Sequence, residues 1–242
     1  MAVDTMIVLP GDEVPQDALP TPTGKKKQLT LGPGLRHIPP STVASTIVGA
    51  LVTDDKKVAA WIESNSGRYL PTAGDLVIAT VQTSTAEAFN CTLTPHTPYA
   101  TLPHLAFEGA TKKTRPQLAP NSLVYARVVT ATKDFAPELT CVDPSTGKSE
   151  GLGPIKGGMV FKISLGMARR MLAGSKGGVV LLEALGEKLG FEIAVGRNGA
   201  VVVDGGKVKS TLAIGKAIQE VDEQALGEKA QKKLAERVLK SV

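Results

Sequence analysis

The residues with the clearest chemical potential are Gly196, Arg197, Asn198 and Gly199, set between the apolar runs 191–195 and 200–203. A Gly-x-x-Gly loop can bring main-chain groups close to the phosphates of single-stranded RNA, because glycine has no Cβ and tolerates φ > 0. Arg197 would add a positive charge. The same residues also make a tight turn between two strands, and Asn198-Gly199 is a strong hairpin dipeptide. Residue type and spacing leave both readings open.

A second group of charges lies in Gly109-Ala-Thr-Lys112-Lys113-Thr-Arg115-Pro116, with Arg68 and Lys133 as further basic candidates. Their chemistry would be phosphate contact, which is sequence-independent and salt-sensitive. A loop kept soluble by charge has the same composition. A net charge of +5 and a pI near 9.1 lean toward a polyanionic partner without requiring one. Aromatic content is only 4%, which disfavours base stacking on an aromatic platform. Contacts are therefore expected to rest on charge and backbone groups.

Catalytic chemistry finds no carrier. Gly147-Lys148-Ser149 ends like a P-loop, but Val142 stands where that motif needs glycine. The glycines from Gly151 to Gly157 have the wrong spacing for a dinucleotide loop, and Pro154 breaks the required helix start. Cys91, His96, His104 and Cys141 match no zinc spacing. No nucleophile motif appears, nor the carboxylate clustering of two-metal nucleases. The expectation is a non-enzyme without metal or cofactor. An enzyme assembled from scattered residues remains a separate class. With no secretory signal at the start, Cys91 and Cys141 are expected as free thiols. No stretch is long and apolar enough to span a bilayer.

The elements that must position these residues change character along the chain. Residues 1–63 read as a small β-rich domain, with runs at 45–52 and 57–62 and turns at Leu9-Pro10-Gly11-Asp12 and Leu31-Gly32-Pro33-Gly34-Leu35. Residues 64–148 hold strand patterns at 75–81, 88–93, 123–129 and 137–142, which suit a five-stranded barrel of the OB type. The basic loop falls between strands of that barrel. Residues 149–242 mix strands and helices. A β-like run covers 155–164, a helix with Arg169-Arg170 exposed covers 165–173, and a second helix covers 179–189. One long helix is expected over 210–240, with Ile214, Ile218, Val221, Ala225, Leu234 and Val238 as its apolar stripe and an interruption near Gly227. The fold class is thus multidomain, β-rich plus α+β.

The order of these pieces resembles the cap subunits of the eukaryotic RNA exosome over nearly the whole chain. The matching segments include Gly67-Arg68-Tyr69-Leu70-Pro71 with Gly74-Asp75, and Phe107-Glu-Gly-Ala-Thr-Lys112-Lys113 with Arg115-Pro116. Leu123-Val-Tyr-Ala-Arg127-Val, and Gly158-Met-Val-Phe161 with Leu165-Gly166, match as well. The resemblance implies a barrel of the ribosomal S1 type and a KH-like C-terminal domain. It implies a non-catalytic subunit that guides single-stranded RNA toward 3′-to-5′ degradation and processing, ribosomal RNA maturation included. The implied partners are RNase-PH-like ring subunits, other cap subunits and associated exoribonucleases, in nucleus, nucleolus and cytoplasm. On this basis Lys112, Lys113, Arg115, Arg68 and Lys133 are the RNA candidates. Leu9, Pro10, Gly11 and Asp12, with Gly32, Pro33 and Gly34, are the ring-docking candidates. In a Gly-x-Asn-Gly loop the asparagine can lock the turn by side-chain hydrogen bonds and tolerates the left-handed region, so Gly196–Gly199 is expected to be structural. A free-standing RNA-binding factor or RNA chaperone acting in translation is the alternative.

Overall fold

The computed structural model describes residues 6–21, 28–55, 58–64, 68–132 and 134–241. The chain divides between Gly67 and Arg68 into two compact units.

In the first unit the strands are short. They are β1 (Ile7–Val8), β2 (Glu13–Val14), β3 (Thr30–Leu31), β4 (Leu35–Ile38), β5 (Thr42–Ser45), β6 (Gly49–Asp54) and β7 (Ala59–Glu63). They form two sheets, ordered β1-β6-β7-β3 and β2-β5-β4. The expected strand over 45–52 is instead the end of β5, a bend at 46–48 and the start of β6. An apolar run alone does not reveal where a chain leaves one sheet for another.

The second unit contains the barrel and the C-terminal α+β region. The barrel strands are β8 (Leu76–Ser84), β9 (Ala88–Thr92), β10 (Ala100–Pro103), β11 (Leu123–Thr130) and β12 (Glu138–Thr140). Antiparallel pairs join β8 to β9, β9 to β10, β11 to β8 and β11 to β12. A parallel pair, Thr101 with Glu138, closes the ring between β10 and β12. Closure removes the free edges that an open sheet would present. A further strand, β13 (Gly153–Ile155), pairs with β11. The inward positions follow the period of two: Val77, Ala79 and Val81 on β8, and Val124, Ala126 and Val128 on β11, all belong to the buried core. Phe89, Leu102 and Leu139 are fully buried with them, and each contributes about 1.5–3 kcal/mol by leaving water.

The C-terminal region holds a three-stranded sheet of β14 (Met159–Lys162), β15 (Glu192–Gly196) and β16 (Ala200–Asp204), ordered β14-β16-β15. Its helices are α1 (Leu165–Leu172), α2 (Leu181–Gly186), α3 (Val208–Glu223) and α4 (Glu228–Ser241). Phe161, Met167, Leu181, Leu185, Val201, Val203, Ile214, Ile218 and Leu234 share one core. Arg169 and Arg170 are half-buried rather than exposed. The β-like run at 155–164 is broken at Lys156–Gly158, where the chain passes from β13 to β14.

The long helix expected over 210–240 is two helices. Ala225 N–H donates to Asp222 O at 3.4 Å and Leu226 N–H to Val221 O at 3.2 Å, with Ala225 at φ +48°. This is a Schellman termination with alanine where glycine is usual. The buried Gln231 then fixes the start of α4, donating to Leu226 O and Gly178 O and accepting from Leu181 N–H.

Candidate nucleic-acid interface

The loop Gly196–Gly199 joins β15 to β16 and lies against the outer side of barrel strand β8. Ile78 points away from the barrel interior by strand alternation, yet it is only 3% exposed. The Asn198 carboxamide accepts from Ile78 N–H at 3.2 Å and donates to Ile78 O at 2.9 Å and Leu93 O at 2.6 Å. It therefore behaves as a substitute peptide group. It fills the gap between β8 and the end of β9, whose last ladder pair with β8 is Thr80 with Thr92. Arg197 N–H continues the pattern by donating to Leu76 O at 2.7 Å. Tyr125 OH, on β11, donates to Val195 O at 3.2 Å.

The two glycines serve close packing here. A Cβ on Gly196 would stand 2.7 Å from Ile78 N, and one on Gly199 would stand 2.8 Å from Ile163 O. Gly199 also carries the left-handed turn, at φ +76°. Asn198 was expected to bond within its own turn. Its side chain instead crosses to the barrel, because the unpaired amide and carbonyl groups of Ile78 and Leu93 would otherwise be buried without partners.

Arg197 pairs with Asp75, Nε to Oδ1 at 3.3 Å, while its side chain remains 43% exposed. The other Asp75 oxygen accepts from Tyr69 OH at 2.9 Å and Thr72 N–H at 3.2 Å. Burial, with the neighbouring Asp75 charge second, pushes the Tyr69 hydroxyl above the usual tyrosine range. Tyr69 and Asp75 entered the sequence reading only as parts of matching segments, and Ile78 and Leu93 only within strand patterns; none was a site candidate. The available signal was Val77-Ile78-Ala79, apolar on both faces of one strand, which marks a strand covered on both sides.

The basic candidates fall at opposite ends of the barrel. Lys112, Lys113 and Arg115 sit in the β10–β11 connection, at the end where β8 turns into β9. That loop is braced by its threonines. Thr111 and Thr114 hydroxyls meet at 2.8 Å, Thr114 OH donates to Gly109 O at 3.2 Å, and Lys113 N–H donates to Thr111 Oγ1 at 3.3 Å. Arg115 donates to Ala86 O at 3.2 Å, tying the loop to the β8–β9 turn. Lys112 and Lys113 are exposed and make no ion pair among the described residues. Arg68 is exposed at the other end, where the chain enters β8. Lys133, like Gly67 of the matching segment, lies outside the described residues.

In the first unit, Gly11 N–H donates to Ser45 O and Thr46 N–H donates to Gly34 O, each at 2.8 Å. The Leu9–Asp12 and Gly32–Gly34 turns are thereby brought to either side of Ser45-Thr46. Leu9, Ile47 and Val48 are exposed there. Among the described residues no cluster of three or more His, Cys, Asp or Glu could hold a metal.

Family models match in the same order along the chain. Residues 29–68 match the Exosome complex exonuclease Rrp40 N-terminal domain, and residues 69–153 match the S1 domain of Exosome complex component RRP40. Residues 158–209 match a KH domain. Exosome complex component RRP40 of Drosophila melanogaster is 36% identical over 228 residues, 94% of each chain. The chain belongs to the RRP40 family. The family member from Saccharomyces cerevisiae is 33% identical over 88% of this chain and 87% of its own. A crystal structure provisionally described as that of an exosome complex RNA-binding protein superposes with a TM-score of 0.58 at 25% identity, covering 72% of this chain and 97% of that one. RRP40-family membership accounts for the succession of a β region, an S1 barrel and a KH-like region that the fold displays.

Proposed function

We propose that this RRP40-family chain is a non-catalytic cap subunit of the RNA exosome that guides single-stranded RNA toward a separate 3′-to-5′ exoribonuclease. The observation that carries the reading is a contrast between two loops. The Gly-x-Asn-Gly loop is occupied by the barrel: Asn198 is buried and Arg197 faces Asp75. The barrel loop bearing Lys112 and Lys113 is braced from within and presents both ammonium groups to solvent. RNA contact is therefore assigned to the barrel loops, and Gly196–Gly199 to holding the KH-like region on the barrel. The exposed Leu9, Ile47 and Val48, beside the two turns of the first unit, suit docking on RNase-PH-like ring subunits or a neighbouring cap subunit. A role in ribosomal RNA maturation, with nuclear, nucleolar and cytoplasmic pools, accompanies this reading.

The test is RNA binding by the purified full-length chain across a salt series. Replacing Lys112 and Lys113 together with alanine is expected to weaken binding and to flatten the slope of log K against log salt concentration, by about 0.7 for each phosphate that is no longer neutralised. Arg197→Ala is expected to leave both unchanged. An unchanged double variant, or degradation of RNA by the purified chain, would contradict the proposal.

A further inference from the structure

The low aromatic content argued for binding by charge and backbone groups, but the placement of the aromatics adds a further contact. Of five Phe, three Tyr and one Trp, only Phe135 and Tyr99 are more than half exposed, at 78% and 52%. Both lie at the same end of the barrel. Tyr99 is in the β9–β10 loop and Phe135 in the β11–β12 loop. Strand alternation puts those loops together with the segment entering β8. Beside Phe135 opens a groove of ≈ 380 Å³, lined by Phe135, Leu93, Pro98, Pro71 and Tyr69, with Arg68 also on it. Phe135 N–H donates to Thr132 Oγ1 at 3.3 Å, which holds the loop that carries the ring.

An isolated exposed apolar residue needs no explanation. An exposed aromatic that lines an apolar groove at the mouth of an OB barrel, with a cation on the same groove, does. The loop after the fourth strand of such a barrel is one of the places where oligonucleotides are held. A nucleobase has a flat apolar face for Phe135 and a phosphate a short stretch of backbone away for Arg68. Asp134, also on the groove, can accept from a base N–H but would repel a second phosphate.

We infer that this end of the barrel holds one nucleobase of single-stranded RNA stacked on Phe135, with Arg68 at the adjoining phosphate. The inference rests on the RNA-binding reading above and adds a stacking contact to it. RNA would then touch both ends of the barrel: charge at Lys112 and Lys113, stacking at Phe135. Because stacking is tolerant of base identity, the site fixes position along the strand rather than sequence.

The test uses the full-length chain and a uridylate oligomer of about twelve nucleotides, within the range of OB-fold site sizes. Phe135→Ala is expected to weaken binding about 5- to 150-fold, the range seen when a stacking ring is truncated, with the slope against salt unchanged. Phe135→Trp should keep the affinity and show emission quenched by the oligomer, beyond any change at Trp61 in the unsubstituted chain. An oligomer of abasic riboses should not quench it. The ring is exposed, so the urea unfolding midpoints of both variants should match the parent. Equal affinity of Phe135→Ala and parent, or an unquenched Phe135→Trp, overturns stacking while leaving RNA binding in place. That is also the result if an apolar protein segment, rather than RNA, covers the groove. Failure of the parent itself to bind RNA removes both the inference and the reading on which it rests.

Discussion

Asn198 bonds to both main-chain groups of Ile78 and to the carbonyl of Leu93. Replacing it with alanine leaves three buried polar groups without partners. Each carries a desolvation cost of roughly 1–3 kcal/mol, moderated where water can enter. Asn198→Ala is therefore expected to lower the unfolding free energy by about 2–4 kcal/mol in urea titration, and Asn198→Asp by at least as much, since a carboxylate cannot donate to the two carbonyls. A loss below about 0.5 kcal/mol would mean that the loop does not depend on these hydrogen bonds. The partly exposed Arg197–Asp75 pair belongs to a different class. Arg197→Ala should cost at most about 1 kcal/mol. A structural role for the asparagine was an expectation from the sequence, stated for its own turn. Its partners were not legible there, because they lie 120 and 105 positions away and no local pattern reports them.

Among the elements, strand alternation made most of the barrel legible. β8, β9, β11 and β12 fall within a few residues of their expected ranges. β10, Ala100–Pro103, was missed because it is short and ends in proline. Its role in closing the ring appears only through the Thr101–Glu138 pair. The break between α3 and α4 was legible as an interruption, but Ala225 looked like part of the apolar stripe. At φ +48° it occupies the position that favours glycine. Ala225→Gly is expected to raise stability by about 0.5–1 kcal/mol by relieving left-handed strain, read as an upward shift in thermal midpoint. A downward shift would show that the alanine methyl packs more than it strains. The turn after β12 carries an acid-sensitive brace. The Ser145 hydroxyl and N–H bond to Asp143, with Arg127 at 3.3 Å, and together they hold this carboxyl below its usual range. Glu108 is lowered likewise by Ser149. A depressed folded pKa stabilises the fold above the unfolded value, about 4, and that stability is lost as pH falls through the folded value. Asp143→Asn should make stability fall less steeply below about pH 4. Equal acid limbs in variant and parent would contradict the brace.

At the scale of the whole molecule, the succession of modules was readable because each has its own period and composition. The proposed RNA surface was readable only in part. Lys112, Lys113 and Arg115 announced themselves by charge, whereas Phe135 and Tyr99 gained significance only when folding left them exposed at one end of the barrel. Cys91 and Cys141 lie in the barrel core, where burial pushes each thiol up to about 12. Neither should react with a thiol reagent near pH 8 until the barrel opens, so their labelling rate reports barrel opening rather than surface chemistry. Rapid labelling of the native chain would contradict the packed core. The central claim concerns assembly, and its most direct test is purification of the tagged chain from its own cells in moderate salt. The eluate is analysed for protein composition and for 3′-to-5′ exoribonuclease activity, beside the recombinant chain alone. The account predicts RNase-PH-like ring subunits in stoichiometric amounts and nuclease activity in the complex only. A chain recovered alone or with ribosomes, or one that degrades RNA by itself, would contradict it.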